Sequence, residues 1–241
     1  MHRHTPKLAV VDPRGLAIAA VDYYRRSSAE VRPEPRVTRE TFDGVGRSVA
    51  NWDARLGTAS TPIASQTIIP GLSGTPLLTV SVDAGWRLAL QNEAGQIRQS
   101  WDGAGNKTCF DYDLAGRLLS VGQASANATA QCVERLYYGA AQPEVSLRNQ
   151  CGRLIRYADT AGAWEVPDYS LHGTPLTESR RFLAELVHPG WPAAEREQNA
   201  LLEWGEDKTY LTHWRYDASG GVLGQIDAAE HARRHAYSVQ G

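Results

Sequence analysis

The 241-residue chain is short of the materials that mark several protein classes: it has one Met, three Phe and three Cys. Cys109, Cys132 and Cys151 form no CxxC pair and have no His or Cys partner at metal-ligand spacing. Neither a disulfide framework nor a zinc site is expected, and the three read as small strand or turn residues in a reducing compartment. No stretch approaches the roughly 18–20 apolar residues of a membrane helix. The start, Met1-His-Arg-His-Thr-Pro-Lys7, is polar and basic and leads to no h-region or cleavage site. Synthesis in the cytoplasm without a classical signal peptide is therefore expected. With a net charge of −2, no field of one sign favours nucleic acid or an anionic membrane.

Turn formers and amphipathic aromatics are plentiful: 22 Gly, 12 Pro, 7 Trp and 10 Tyr, a composition that favours β-structure. One stretch organises the rest, Phe110-Asp-Tyr-Asp-Leu-Ala-Gly-Arg-Leu-Leu-Ser-Val121. Asp113 suits the first position of a type I turn and Gly116 the fourth, where a left-handed backbone costs least. Full copies place Asp43 with Gly46, Asp102 with Gly105, and Asp217 with Gly220. Degenerate copies are Asn92–Gly95, Asn149–Gly152, Asp159–Gly162 and Ser170–Gly173. Gly95, Gly105 and Gly116 are ten and eleven residues apart, and Gly152, Gly162 and Gly173 repeat both steps. That interval is one short strand and one tight turn. After Gly220 it lands on Asp227-Ala-Ala-Glu230, which lacks the Gly, and a further strand is expected to begin at Ala236-Tyr237.

Taken in order, Leu8–Val11 and Leu16–Tyr24 flank a turn at Asp12-Pro-Arg-Gly15, and Arg36–Thr41 pairs with Arg47–Trp52. A long Ser/Thr/Pro/Gly connection from Gly57 to Pro76 carries one short strand at Gln66–Ile69. Two regular blocks, Leu77–Val121 and Gly152–Leu183, precede a break at His188–Gly205. There Pro192 and the helix formers of 193–204 predict one short helix, with Leu201, Leu202 and Trp204 packed on the sheet.

Chemistry is sparse. No G-x-S-x-G string and no phosphate-cradling loop before a helix occurs, since Gly44-Val-Gly46 and Gly103-Ala-Gly105 lie within hairpin turns. His231 and His235, at i and i+4, would be neighbours on a helix face and could bind a metal there, but in the predicted strand context they stand roughly 13 Å apart, so no metal site is assigned. Asp43, Asp102, Asp113, Asp159 and Asp217, with Gly46, Gly105, Gly116, Gly162 and Gly220, are assigned as structural turn residues, and no catalytic, cofactor or metal residue is assigned. Asn127-Ala-Thr129 matches a glycosylation acceptor, a string common by chance. The Trp and Tyr side chains read as cross-strand packing, with a free-standing carbohydrate-binding or adhesion module as the alternative.

The units Phe110-Asp-Tyr-Asp-Leu-Ala-Gly-Arg-Leu118 and Trp214-Arg-Tyr-Asp-Ala-Ser-Gly-Gly-Val-Leu223 resemble RHS/YD repeats. His2-Arg-His-Thr-Pro6, Asp12-Pro-Arg-Gly-Leu16, Ser81-Val-Asp-Ala-Gly85, Gly116-Arg-Leu-Leu-Ser-Val121 and Gln150–Gly162 are similar to the amino-terminal region of the C subunit (TccC-like) of bacterial insecticidal toxin complexes. The resemblance runs from end to end. It implies an all-β fold over a single domain, 1–241: a curved antiparallel sheet of YD-repeat hairpins, part of an RHS-type β-shell, with one short helix near 193–204. It also implies a scaffold role without enzymatic activity or cofactor, encapsulating a toxin in a β-cocoon with a B-subunit-like RHS protein and, through it, an A-subunit pore. No nucleic acid and no direct membrane insertion are implied, and localisation would be extracellular, as part of the complex. The family's self-cleaving aspartyl-protease centre and toxin region would lie beyond this chain. Asp12-Pro-Arg-Gly15 echoes a string of that centre at the wrong end, and no catalytic residue is carried across.

Overall fold

The computed structural model describes residues 5–27, 32–57, 63–126 and 128–238. Asn127 of the glycosylation string and His2-Arg-His4 lie outside them. The described residues form seventeen β-strands and two short α-helices, and every registered strand pair joins consecutive strands in antiparallel fashion. The chain divides into two compact units, residues 1–107 and 108–241.

The first unit is a meander of β1 (Leu8–Val11), β2 (Ala17–Tyr24), β3 (Glu34–Phe42), β4 (Ser48–Trp52), β5 (Gln66–Pro70), β6 (Pro76–Ser81), β7 (Gly85–Gln91) and β8 (Ile97–Asp102). Register sorts its side chains by face. Ile69 opposes Leu78, Leu78 opposes Leu88 and Leu88 opposes Trp101, an apolar row across four strands, with Val80 opposite Trp86 alongside it. Among the described residues no second layer covers this face: Ile69 is 55% exposed, Val80 43% and Trp86 40%, while Leu78, Leu88 and Trp101 are half-buried.

The second unit contains β9 (Lys107–Tyr112), which pairs with β10 (Leu118–Ala124). It continues through β11 (Gln131–Tyr138), helix α1 (Pro143–Ser146), β12 (Leu154–Asp159), β13 (Gly162–Tyr169), β14 (Pro175–Phe182), helix α2 (Glu195–Asn199), β15 (Tyr210–Tyr216), β16 (Val222–Ile226) and β17 (Ala232–Arg234). Here part of one sheet face is covered. The connection from β14 to β15 folds back so that Leu183 bridges Leu202, and Trp191 and Leu202 bury against Ala158 and Ala163. The small alanines leave the depth that the indole fills, and Trp191 Nε1 donates to the Asp159 carbonyl at 2.9 Å. Arg156, almost fully buried, is held by Glu165 at 2.7 Å and by Asn199 of α2 at 2.8 Å. Gln198 is fully buried and donates to the Pro192 carbonyl at 2.8 Å and to the Tyr137 hydroxyl.

Four local expectations are corrected. The helix in the break is one turn, Glu195–Asn199, without a side-chain cap at Ala194. Leu202 is buried, but Trp204 is 96% exposed, and Trp191 supplies the packing expected of it. Asn149–Gly152 is not a hairpin turn: α1 precedes it, Asn149 adopts φ 55°, and its amide donates to the Tyr169 carbonyl at 2.9 Å rather than to its own turn. Among the described residues the last strand is Ala232–Arg234, not one beginning at Ala236-Tyr237, because Glu230 takes the left-handed position (φ 64°) that the pattern gives to Gly, so that Asp227–His231 still closes a turn.

The protein exposes 16338 Å² of surface at a mass of 26.4 kDa. Even two separate compact bodies of half that mass would expose only roughly 12,800 Å² in all. The excess is the expected mark of sheet faces that lack a covering layer.

Candidate functional site

Nine connections share one hydrogen-bond pattern, at 12–16, 43–47, 71–75, 92–96, 102–106, 113–117, 170–174, 217–221 and 227–231: the first residue's N–H donates to the fifth carbonyl, and the fourth N–H donates back to the first. This is a type I turn closed by a left-handed fourth residue. Where the first residue is Asp or Asn, its side chain completes the turn. Asp43 Oδ1 accepts the N–H of Val45 at 3.0 Å and of Arg47 at 2.9 Å, and Asp113 Oδ1 those of Ala115 and Arg117 at 2.9 and 2.8 Å. Asp102 and Asp217 repeat the arrangement with Ala104 and Asn106, and with Ser219 and Gly221. Gly46, Gly105, Gly116 and Gly220 occupy the left-handed corners, with φ between 77° and 90°. These donors hold the carboxylates below their ordinary range, chiefly through the Arg47 N–H at Asp43, the Arg117 N–H at Asp113, the Asn106 amide at Asp102 and the Ser219 hydroxyl at Asp217.

Asp159 and Gly162 stand apart. They pair directly across a two-residue turn, and Asp159 Oδ1 accepts from Ala161 and Gly162 while Arg180 grips both carboxylate oxygens at 2.9 and 2.5 Å. Burial works to raise the Asp159 pKa, but Arg180 and the turn donors outweigh it and the net shift is downward.

Because strands alternate in direction, every second turn of a meander lies at the same end of the sheet. At that end the turns are joined to one another through side chains that the sequence pattern did not single out. In the first unit, Arg14 Nη1 donates to the Asp43 carbonyl and Arg47 Nη1 to the Gly71 carbonyl, both at 2.9 Å. Thr75 Oγ1 donates to Gln91 Oε1 at 2.8 Å. In the second unit, Arg117 Nη1 reaches the Gly152 carbonyl at 3.2 Å, Arg153 Nη1 the Gly173 carbonyl at 3.3 Å, and His172 Nε2 lies 2.9 Å from the Ala218 carbonyl. Arg47 and Arg117 are each held from behind by their own turn acid, at 2.6 and 2.7 Å. Arg117 also lies over the Tyr138 ring at 4.4 Å. The result is a rim in which acid, arginine and the next turn's carbonyl form a chain of braces. Its visible signal was the residue after the turn glycine, Arg in Gly46-Arg47, Gly116-Arg117 and Gly152-Arg153.

Among the described residues, no three His, Cys, Asp or Glu side chains are grouped to hold a metal ion. His231 sits 3.2 Å from Asp227, while His235 pairs through its backbone with Leu223. Between α2 and the sheet lies a space of about 370 Å³, bordered by Tyr137, Arg156, Glu165 and Glu195, whose charges are already paired. The arrangement braces and covers; the one hydroxyl beside an imidazole nitrogen among the described residues is Thr177 Oγ1, 3.2 Å from His213 Nδ1 on the neighbouring strand.

No family model matches the chain. It is 28% identical to toxin subunit YenC1 of Yersinia entomophaga across all of its own length, and 29% identical to toxin subunit YenC2 of the same organism across 98% of it. The chain is a homologue of the YenC toxin subunits. It spans about a quarter of their length. Among solved structures, it matches a chain of the TcdB2-TccC3 crystal structure with TM-score 0.91 and 31% identity, over 98% of this chain and 12% of that one. In the Photorhabdus luminescens Tc holotoxin pore the match covers all of this chain and 11% of that chain, with TM-score 0.92 and 31% identity. The all-β antiparallel fold of this chain is thus that of the matching part of the toxin-complex structures, as its YD-like turns imply.

Proposed function

We propose that this chain is a non-catalytic wall segment of a toxin-encapsulating RHS β-shell. The carrying observation is the apolar face of β5–β8, on which Ile69, Val80 and Trp86 stay exposed beside half-buried Leu78, Leu88 and Trp101, on a meander whose turns are braced along one end. A sheet that leaves such a face open fits a container whose contents are apolar and unfolded, since exposed apolar patches mark interaction surfaces. Within their units β1 is registered only with β2 and β17 only with β16, and an edge without a partner takes a further strand. The proposed partner is a B-subunit-like RHS protein and, through it, an A-subunit pore, with the assembly acting outside the producing cell.

The test is to mix the 241-residue chain with a B-type partner and follow the mixture by size-exclusion chromatography and native mass spectrometry. A stable complex is the expected result. A monodisperse monomer that ignores the partner would sink the docking idea, and a selective hit in a glycan screen would favour a carbohydrate-binding module instead.

A further inference from the structure

We propose that the sheet face centred on Gly224 is an oxyanion-binding cleft, which takes a phosphate or carboxylate group between Arg215 and Arg234. Register puts the three residues in one cross-strand row: Arg215 pairs with Gly224, and Gly224 pairs with Arg234, so both arginines leave the sheet on the same face. Their strands are two spacings apart, roughly 10 Å. The residue between them has no side chain, and a Cβ placed there would meet only the Arg233 carbonyl, at 3.3 Å, with no side chain within reach. The floor is therefore open, and two long guanidinium arms can converge over it. Both arginines line a cleft of about 590 Å³, which His213, 3.2 Å from Thr177 Oγ1 through its Nδ1, also borders.

The use made of other arginines in the same unit sharpens the point. Arg117, Arg135, Arg153, Arg156, Arg180 and Arg181 each donate to a carboxylate, amide or carbonyl acceptor. Arg215 and Arg234, like the exposed Arg148, Arg196 and Arg233, have no side-chain acceptor among the described residues, and they alone of these share a cross-strand row with a glycine between them. The acids on the adjoining turns are committed elsewhere: Asp217 accepts from Ser219 and Gly221, and Asp227 from Ala229 and His231. Two unopposed planar forks facing one gap match the paired oxygens of a phosphate or carboxylate, which a guanidinium binds in bidentate fashion. What sets this pair apart from a solvated basic face is the shared row with Gly224 and the cleft that both residues line. The site does not depend on the scaffold reading.

The experiment titrates the full chain with inorganic phosphate and, in parallel, with succinate, followed by calorimetry and amide chemical shifts. Saturable binding of either anion is expected, with shifts centred on Gly224, and the anion that binds identifies the source. Arg215→Gln and Arg234→Gln should each weaken binding roughly tenfold or more, the usual cost of losing a charged hydrogen-bond donor. Arg196→Gln, an exposed arginine on α2, should leave binding unchanged. Arg215→Lys keeps the charge but not the fork and should retain part of the affinity, and it carries the test if a Gln variant loses its far-UV signal. Absence of saturable binding, or equal binding by all variants, overturns the proposal.

Discussion

Gly173→Ala should destabilise the protein more than Gly95→Ala, although both glycines sit at the same corner of the same turn, at φ 86° and 78°. An L-residue in the left-handed region costs about 1 kcal/mol at either position. The surroundings differ. A Cβ at Gly95 meets nothing within 4 Å, whereas one at Gly173 would lie 1.8 Å from Arg153 Nη1. The guanidinium is the far end of a flexible side chain, so it would swing away rather than force the backbone. Its departure breaks the 3.3 Å bond to the Gly173 carbonyl and the packing over the Tyr169 ring, 5.4 Å from it. For a partly exposed pair these losses amount to about 1 kcal/mol. The totals are then about 2 kcal/mol at Gly173 and about 1 kcal/mol at Gly95, and for a chain of this size the extra 1 kcal/mol lowers Tm by roughly 2–4 °C. Denaturant and thermal unfolding of both variants measure the gap, and a double-mutant cycle assigns its cause. In an Arg153→Ala background the excess at Gly173 should vanish. Equal losses at the two glycines, or an excess that survives without Arg153, would refute the brace as the origin of the difference.

Trp191→Ala should cost about 3–5 kcal/mol, because the indole is 1% exposed in the small core, while Trp204→Ala at 96% exposure should stay within about 0.5 kcal/mol; chemical denaturation compares them. Acidification should destabilise the protein. Asp12, Asp43, Asp53, Asp102, Asp113, Asp217 and Asp227 all have pKa values below the ordinary 3.8 in the folded state. Their contribution is fully present above that value and is lost as pH falls through the folded pKa values, so Tm should be flat above about pH 5 and drop below pH 4. Replacing Asp43 and Asp113 by Asn, which keeps the turn acceptor without the charge, should flatten the drop. Tyr157, desolvated and donating to Glu134 at 2.8 Å, has its pKa pushed up to about 12. Its contribution to stability is present below the ordinary value of 10 and is lost as pH rises towards 12; Tyr157→Phe should leave a smaller alkaline decline in Tm, while an unchanged decline would assign it to other groups.

The hairpins were legible because each turn encodes its own closure. An Asp whose carboxylate can cap the next N–H groups, and a residue three positions on that tolerates positive φ, define the turn locally, and the interval between turns then sets strand length. The same local logic explains where the reading slipped. At Asp227 the acid alone suffices, and Glu230 accepts the left-handed corner that no glycine marks. At Asn149 the side chain has a better acceptor, the Tyr169 carbonyl on a strand far away in sequence, and the hairpin gives way to α1 and an irregular return. The helix in the break was legible from composition, but its extent was not, because Leu202 is taken by a bridge to Leu183 and ends the helical course by pairing. Choosing Trp191 over Trp204 as the buried ring required knowing that Ala158 and Ala163 leave a hollow, a property of two strands together.

The rim braces carry this to its limit. Arg47, Arg117 and Arg153 follow turn glycines in sequence, and a hairpin taken alone makes each a solvated cation or a partner for its own Asp. Their second contact is to a carbonyl two strands further on, and it exists because antiparallel alternation returns every other turn to the same end. One residue type at one turn position thus does two jobs: its Nε holds the turn that it closes, as in Arg47 with Asp43, and its Nη1 ties that turn to the next. A row of hairpins linked in this way resists slipping past one another even where one face has no core behind it. Where it occurs, at Arg47 and Arg117, the arginine after the glycine thus adds a tie to the next turn that the opening Asp alone does not supply.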